Sequence, residues 1–296
     1  MRSVVAELID LLSLEAVGEF EWLGHSQDLG FPKVFGGQVI GQGLSAASYT
    51  VENRVPHSLH AYFLRAGDVN QPIHYAVEVI RDGGSFSARR VVASQYDKPM
   101  LVMTVSFQKP EEGMSFATSM PSVPGPESLH SELSLYRQHA EEIPERVRAQ
   151  FTAERPVEFR IVENQNPFRP RVGVAKRHMW IRSTAALPDD LSVHRSMLAY
   201  TSDYGFLETA LMPHGISILE RDLQIASLDH SIWFHRDFRL DDWLLYVAES
   251  PISDHARGFV RGEIFNRSGQ LVASTAQEGL MRLRERPSKS DQESRS

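Results

Sequence analysis

The stretch Ile-Ala-Ser-Leu-Asp-His-Ser-Ile-Trp-Phe-His, residues 225–235, decides how the second half of the chain folds. It contains neither Gly nor Pro, and its polar and apolar residues alternate, which predicts a single β-strand. Alternation places Ser227, Asp229, Ser231 and Trp233 on one face and Ala226, Leu228, Ile232 and Phe234 on the other. A serine hydroxyl in such a sheltered strand needs hydrogen-bonding partners.

Two polar residues elsewhere in the chain are candidate partners. Asp203 is the one charged residue between Arg195 and Glu208, in a helix predicted at about residues 193–211. A carboxylate buried in such a helix is energetically costly unless it is hydrogen-bonded or paired with a positive charge. Gln277 lies in a predicted strand over residues 271–283, at a position that alternation places in the interior. From the residues alone, the alternative is that Ser202 or Asp203 caps a helix by accepting hydrogen bonds from backbone N–H groups.

Several segments resemble the acyl-CoA thioesterase II family. These are Thr-Ser-Asp-Tyr-Gly-Phe-Leu (201–207), Ser-Leu-Asp-His-Ser-Ile-Trp-Phe-His (227–235) and Leu-Val-Ala-Ser-Thr-Ala-Gln-Glu-Gly (271–279). Two earlier segments, Phe-Gly-Gly-Gln (35–38) and His-Ser-Leu-His-Ala-Tyr-Phe-Leu (57–64), resemble the amino-terminal signatures of the same family. The resemblance therefore covers nearly the whole chain.

This resemblance implies an α+β double hotdog, in which two repeats each wrap an antiparallel sheet around a long helix. It also implies hydrolysis of acyl-CoA to free fatty acid and CoA, without a cofactor, by a homodimer or tetramer. The family uses an Asp, a Ser or Thr, and a Gln to position a hydrolytic water, and its motifs place these on Asp203, Ser227 and Gln277. A non-catalytic acyl-CoA-binding or sensor protein of the same fold is the alternative.

Composition narrows the function further. Hydrophobic residues make up 42% and charged residues 23% of the 296, which is typical of a folded protein with a packed core. The net charge of −7 argues against nucleic acid as a partner. The chain has no cysteine, which excludes disulfides and thiolate chemistry, and no apolar run approaches the roughly 20 residues that span a bilayer. We expect a cytoplasmic protein without a membrane anchor.

The pattern of elements predicts a duplicated architecture. We expect a first repeat over residues 1–112, a linker with a helical segment over 113–155, a second repeat carrying the site over 156–284, and a disordered tail over 285–296. An offset of 170 residues aligns His60 with His230, His57 with Ser227 and Phe107 with Gln277. Since the first repeat has His57 and Phe107 in place of Ser227 and Gln277, we expect it to be catalytically silent.

The first long helix is predicted over residues 36–49. Gly37, Gly41 and Ser45 recur on it every four residues and form a stripe of small side chains. We expect this stripe to let a sheet approach the helix axis closely. The Gly-x-Gly-x-x-Ala match at residues 41–46 is weak evidence for a nucleotide site, because no continuous hydrophobic strand precedes it.

Other catalytic and metal sites find little support. Asp229, His230 and His235 are the obvious metal-ligand cluster, but alternation directs His230 away from the other two, so no metal is expected. His230 is instead predicted to be buried and hydrogen-bonded. The sequence contains no Gly-x-Ser-x-Gly, the motif of a nucleophilic serine elbow.

Overall fold

The computed structural model describes residues 3–30, 33–163, 168 and 170–284. The tail predicted to be disordered, residues 285–296, lies outside the described residues. The first half contains helices α1 (Val4–Leu12) and α2 (Gly36–Ser48) and strands β1 (Glu15–Gly18), β2 (Glu21–Gly24), β3 (Val55–Phe63), β4 (Ile73–Asp82), β5 (Phe86–Gln95) and β6 (Lys98–Gln108).

The helical segment between the repeats contains α3 (Glu132–Gln138) and α4 (Glu145–Thr152). The second half contains helices α5 (Leu191–Ser202) and α6 (Glu208–Leu211) and strands β7 (Val157–Ile161), β8 (Lys176–Ser183), β9 (Leu223–Ser227), β10 (Asp229–Phe234), β11 (Leu244–Asp254), β12 (Arg257–Asn266) and β13 (Leu271–Leu283). The expected order, a long helix followed by consecutive strands, therefore occurs in both halves.

The strands of both halves join in one sheet. Within the described residues, thirteen strands pair antiparallel in the order β1-β2-β4-β5-β6-β3-β10-β13-β12-β11-β8-β7, with β9 paired to β13. The halves meet where β3 lies beside β10, with His60 opposite Ser231. One hydrophobic core, to which both α2 and α5 contribute, runs through the two repeats. This arrangement confirms the predicted α+β double hotdog.

The stripe of small residues on α2 faces helix α5, so the expectation that it faces the sheet was wrong. A methyl group on Gly37 would overlap the carbonyl oxygen of Tyr200, and one on Gly41 would lie 3.0 Å from the carbonyl oxygen of Ser196. Ser45 Oγ lies 3.1 Å from Ser196 Oγ. Residue numbers rise along α2 as they fall along α5, so the helices are antiparallel. The start of α2 consequently lies beside the end of α5.

The segment between the repeats covers the outer face of the second half of the sheet. The side chains buried beneath it are Trp180, Trp243, Leu245, Val247 and Phe265. Met120, Val123 and Leu129 pack on this cluster, and the indole N–H of Trp180 donates to the carbonyl of Pro124 at 2.9 Å. Burial of this apolar face stabilises the linker on the sheet. The boundaries expected at residues 112 and 155 stay predictions.

Candidate active site

Asp203 lies where helix α5 ends. The helix predicted over residues 193–211 is not continuous: α5 stops at Ser202, Gly205 adopts a left-handed φ of +63°, and a separate short helix follows. Glycine adopts this φ without steric cost, which lets the chain turn sharply there. The break places the Asp203 carboxylate at the helix end instead of along its side.

Ser227 lies beside a break in the strand that was predicted to be continuous. It pairs with Gly279, whereas Ser231 pairs with Ala276, so four steps on one strand match three on β13. The extra residue is a bulge at Leu228, which reverses the alternation of faces. The prediction that Ser227 shares a face with Ser231 was therefore wrong. Ser227 points into the protein, on the side to which His230 also points.

Gln277 lies on β13 with its side chain in the interior, as the alternation of residues predicted. Its side chain is buried, as is that of Thr275 on the same face. Gln277 Nε2 donates to Asp203 Oδ1 at 2.8 Å and to Ser227 Oγ at 2.7 Å. Ser227 Oγ in turn donates to Asp203 Oδ1 at 3.2 Å. The structure thus brings together all three residues singled out in the sequence.

The first repeat contributes the amino-terminal end of helix α2 to this group. The backbone N–H of Gly37 donates to the Asp203 carboxylate, and Asp203 Oδ2 lies so close to Gly36 that a Cβ there would come within 2.6 Å. The positive end of the helix dipole favours a negative charge at this point. Asp203 therefore does accept a helix N–H, as the capping alternative supposed, but from the helix of the other repeat.

Burial and charge set the protonation of the site. Burial raises the pKa of Asp203 above its ordinary 3.8, and the hydrogen bonds that it accepts oppose the rise. Burial lowers the pKa of His230 below its ordinary 6.5. The prediction that His230 is buried and hydrogen-bonded is confirmed, since it contacts Gln277 at 2.8 Å and Ser202 at 2.9 Å. A neutral histidine therefore lies behind the glutamine.

A cavity of about 690 Å³ opens beside Asp203, Ser227 and Gln277. Its volume lies within the range of about 300–1,000 Å³ that small-molecule sites occupy. The apolar part of the wall comes from the inter-repeat helices, from strand β7 and from the segments that follow α5: Tyr136, Phe151, Phe159, Phe206, Leu207 and Ile218. The loop before α2, including Val34 and Phe35, closes another side. The cavity offers space for an apolar chain next to a carboxylate.

A buried ionic network holds the inter-repeat helices against this cavity. Glu132, on α3, contacts Arg155 at 2.8 Å and Arg177 at 3.7 Å, and Arg177 contacts Glu208 at 2.8 Å. Arg155 also donates to the hydroxyl of Tyr204, the residue that follows Asp203. Sequence reasoning missed this network, because its members are spread over 77 positions (132 to 208) without a local spacing pattern.

The offset of 170 residues holds for one pair of strands and fails for another. Phe107 and Gln277, which it aligns, are both buried on the last strand of their repeat. His60 and His230, which it also aligns, differ: His60 is exposed on the outer face, whereas His230 is completely buried. Alternate residues of a strand face opposite sides of the sheet. Strands β3 and β10, which carry His60 and His230, therefore align face to face only with an odd offset. The alignment of His60 with His230 was wrong.

In residues 3–284, apart from the gaps given above, no group of three or more His, Asp or Glu side chains is arranged to hold a metal ion. Over the same ranges, no helix has the length and apolarity to cross a membrane.

Comparison with known proteins identifies the family. The sequence-family model described as acyl-CoA thioesterase matches residues 146–280. The family model of the acyl-CoA thioesterase N-terminal domain matches residues 26–108. The chain is 42% identical to acyl-CoA thioesterase 2 of Haemophilus influenzae, over 96% of this chain and 100% of that protein.

Solved structures agree. The crystal structure of an acyl-CoA thioesterase II from Mycobacterium marinum superposes with a TM-score of 0.77 at 38% identity, covering 94% of this chain and 99% of that one. A hot dog protein from Alicyclobacillus acidocaldarius, 20% identical, has a TM-score of 0.75 over 94% of this chain and 99% of its own, which supports the fold. The chain belongs to the acyl-CoA thioesterase II family and is a thioester hydrolase.

Proposed function

We propose that this thioesterase hydrolyses acyl-CoA by direct attack of a water molecule that Asp203, Ser227 and Gln277 hold. One observation carries the proposal: Asp203 Oδ1 accepts from both Gln277 and Ser227 while the same carboxylate lines the cavity. A carboxylate fixed by two neutral donors is suited to binding a water and taking its proton. The apolar wall accommodates the acyl chain.

The reaction needs one proton acceptor and one stabilised oxyanion. The water oxygen attacks the thioester carbonyl carbon while one of its protons passes to Asp203. The carbon–sulfur bond then breaks, and CoA leaves as a thiolate that takes the proton back. The developing oxyanion needs hydrogen-bond donors, and we expect these to be backbone N–H groups other than that of Gly37, which already donates to Asp203. The products are a free fatty acid and CoA.

Ser227 acts in this proposal by orienting the water, and it forms no acyl-enzyme. A nucleophilic serine normally needs His or Lys to accept its proton and return it to the leaving group. The hydrogen-bonding partners of Ser227 Oγ are instead Asp203 and Gln277, and His230 is occupied by Gln277 and Ser202. A thiolate is a good leaving group and needs little general-acid catalysis. A covalent route through a serine acyl-enzyme therefore offers no advantage here.

Release of free thiol from a series of acyl-CoAs of increasing chain length tests the activity. We expect steady turnover with at least one chain length. Tight binding with no release across the series would overturn the proposal in favour of a non-catalytic acyl-CoA-binding protein.

The route is tested separately by rapid mixing with excess acyl-CoA. We expect no burst of CoA, and mass spectrometry of the quenched enzyme should find no added acyl group. An adduct on Ser227 that disappears in Ser227→Ala would overturn the direct-water route and leave the thioesterase assignment intact.

Assembly and location complete the proposal. We expect a homodimer or tetramer, since hotdog sheets often extend edge to edge, and light scattering at micromolar concentration measures it. A mass near the 33.4 kDa of one chain would contradict this expectation. A cytoplasmic location stays a prediction that fractionation of the source cells can test.

A further inference from the structure

A hydrogen-bonded chain runs from the interior of the second repeat to the side chain of Gln277. His230 Nδ1 lies 2.8 Å from Gln277 Oε1, and His230 Nε2 lies 2.9 Å from Ser202 Oγ. His230 and Ser202 are both completely inaccessible, and Gln277 is almost so. The ring of Phe206 packs edge-on against the imidazole, with 6.0 Å between ring centres. The proposed water-binding group leaves His230 without a role.

The donors and acceptors at Gln277 fix the direction of this chain. Its Nε2 supplies one hydrogen to Asp203 Oδ1 and one to Ser227 Oγ, at 2.8 and 2.7 Å. Its Oε1 must then face His230, and because a carbonyl oxygen only accepts, His230 Nδ1 must carry a hydrogen. Nε2 of the neutral ring can accept from the Ser202 hydroxyl when the single hydrogen of that hydroxyl is not donated to the carbonyl of Ala199, which lies 3.0 Å from Ser202 Oγ.

A reversed amide would fail at the carboxylate. Gln277 Oε1 would then lie about where Nε2 lies now, facing the ionised Asp203 oxygen, and two acceptors in contact repel each other. The amino group would also turn towards His230 Nδ1, which already carries a hydrogen. The orientation of the amide thus depends on which imidazole nitrogen holds the proton.

We infer that His230 is a positioning residue, whose Nδ1–H holds the Gln277 amide in the orientation that presents its amino group to Asp203 and Ser227. This inference rests on the water-attack function proposed above. His230 does not touch the reacting atoms, so its loss should act through Gln277 alone. Without the Nδ1–H donor the amide is free to reverse, and the fraction of enzyme with a correctly held water falls.

Two matched substitutions separate positioning from packing. In His230→Asn the side-chain nitrogen lies two bonds from Cβ, as Nδ1 does, so the donor to Gln277 survives. In His230→Gln the nitrogen lies three bonds from Cβ, as Nε2 does, so the contact with Ser202 survives instead. We expect kcat to fall at least about tenfold in His230→Gln and to stay within about threefold of the original enzyme in His230→Asn, with KM little changed in both.

The double variant His230→Gln/Gln277→Ala gives a second readout. It should be no slower than Gln277→Ala alone, because residues that act through one another do not add. His194→Gln is the control, since His194 is equally buried and its two ring nitrogens bond the backbone at Pro188 and Leu240. Equal losses in His230→Asn and His230→Gln, or additive losses in the double variant, would overturn the inference.

A measurement on the unsubstituted protein covers the case in which the variants do not fold. Nitrogen-15 NMR of protein labelled at histidine should find a hydrogen bonded to His230 Nδ1, and a bare Nδ1 would overturn the inference. The proposed function fails differently, because the unsubstituted enzyme would then either release no thiol or carry an acyl group on Ser227. The thiol-release and mass-spectrometry measurements therefore distinguish the two failures before any variant is compared.

Discussion

Asp203→Asn should remove most of the activity while leaving the fold in place. The substitution keeps the size and shape of the side chain but removes the charge and the ability to take a proton from water. Loss of a general base typically lowers the rate by about 10²–10⁴-fold, which is about 3–5 kcal/mol of transition-state stabilisation. The hydrogen bonds from Gln277, Ser227 and Gly37 also lose a charged acceptor, and such bonds contribute about 1.5–3 kcal/mol each.

We therefore expect kcat of Asp203→Asn to fall by about 10³-fold or more. Thiol release at saturating acyl-CoA measures kcat, and tryptophan fluorescence during urea unfolding shows whether the variant is folded. Asp229→Asn is the matched control, because Asp229 is a neighbouring carboxylate that accepts the N–H of Glu278 at 2.7 Å and is not part of the cavity wall. A folded Asp203→Asn with more than a tenth of the original kcat would refute the role of the carboxylate as base.

Ser227→Ala and Gln277→Ala should each lower kcat by roughly 10²-fold or less, because each removes one orienting group, while Ser227→Thr should stay active since the hydroxyl survives. Steady-state kinetics measure all three, and equal losses in the Thr and Ala variants would argue against the hydroxyl. The acid limb of the pH–rate profile should lie above that of an aspartate with an ordinary pKa of 3.8, since burial raises the pKa of the proposed base and only its ionised form accepts a proton. A rate unchanged down to pH 4 would contradict this. His57→Ala should cost far less turnover than loss of the carboxylate, because the His57 side chain bonds Ser106 of the neighbouring strand; equal losses in folded variants would show that the first repeat is not silent. Gly37→Ala should lower the free energy of unfolding by about 1–3 kcal/mol through overlap with helix α5, as urea unfolding can measure against Gly113→Ala, where a methyl group meets open space.

Strong local patterns in the sequence predicted most of the strands. Turns rich in Gly and Asp separate the strands of each repeat, and alternation on β13 correctly placed Gln277 in the interior. The family motifs brought Asp203, Ser227 and Gln277 to attention together, and the structure places them within hydrogen-bonding distance of one another. Local spacing and motif matches were sufficient here because each feature lies within one element.

The bulge at Leu228 could not be predicted in this way. Its cause is the pairing with distant strands: the N–H of Leu228 donates to Glu278 at 2.9 Å, and its carbonyl accepts from Phe63 at 2.9 Å. The sequence around it has no Gly or Pro to indicate an irregularity. A strand of regular alternation would have directed Ser227 away from Asp203, so the site depends on a feature that only the folded sheet reveals.

The small-residue stripe shows a related limit. Gly37, Gly41 and Ser45 indicate that another part of the chain approaches closely, but the spacing does not identify which part. In a duplicated fold each central helix packs on its own sheet and on the helix of the other repeat. The close contact of α2 with α5 therefore follows from the duplication, which single-helix reasoning ignores.

The antiparallel packing of α2 and α5 explains why the two repeats contribute different groups to the proposed site. Each helix begins where the other ends, so two equivalent sites are possible, and the one at the start of α2 carries Asp203. At the end of α2, Thr50 instead accepts from buried Arg89, which pairs with Asp82, and Phe107 takes the place that Gln277 has in the second repeat. The carboxylate at this end is paired with a guanidinium, and a phenyl ring cannot hold a water, so we predict that the first repeat is catalytically silent. It nevertheless supplies the helix terminus that contacts Asp203, so both repeats contribute to the proposed site.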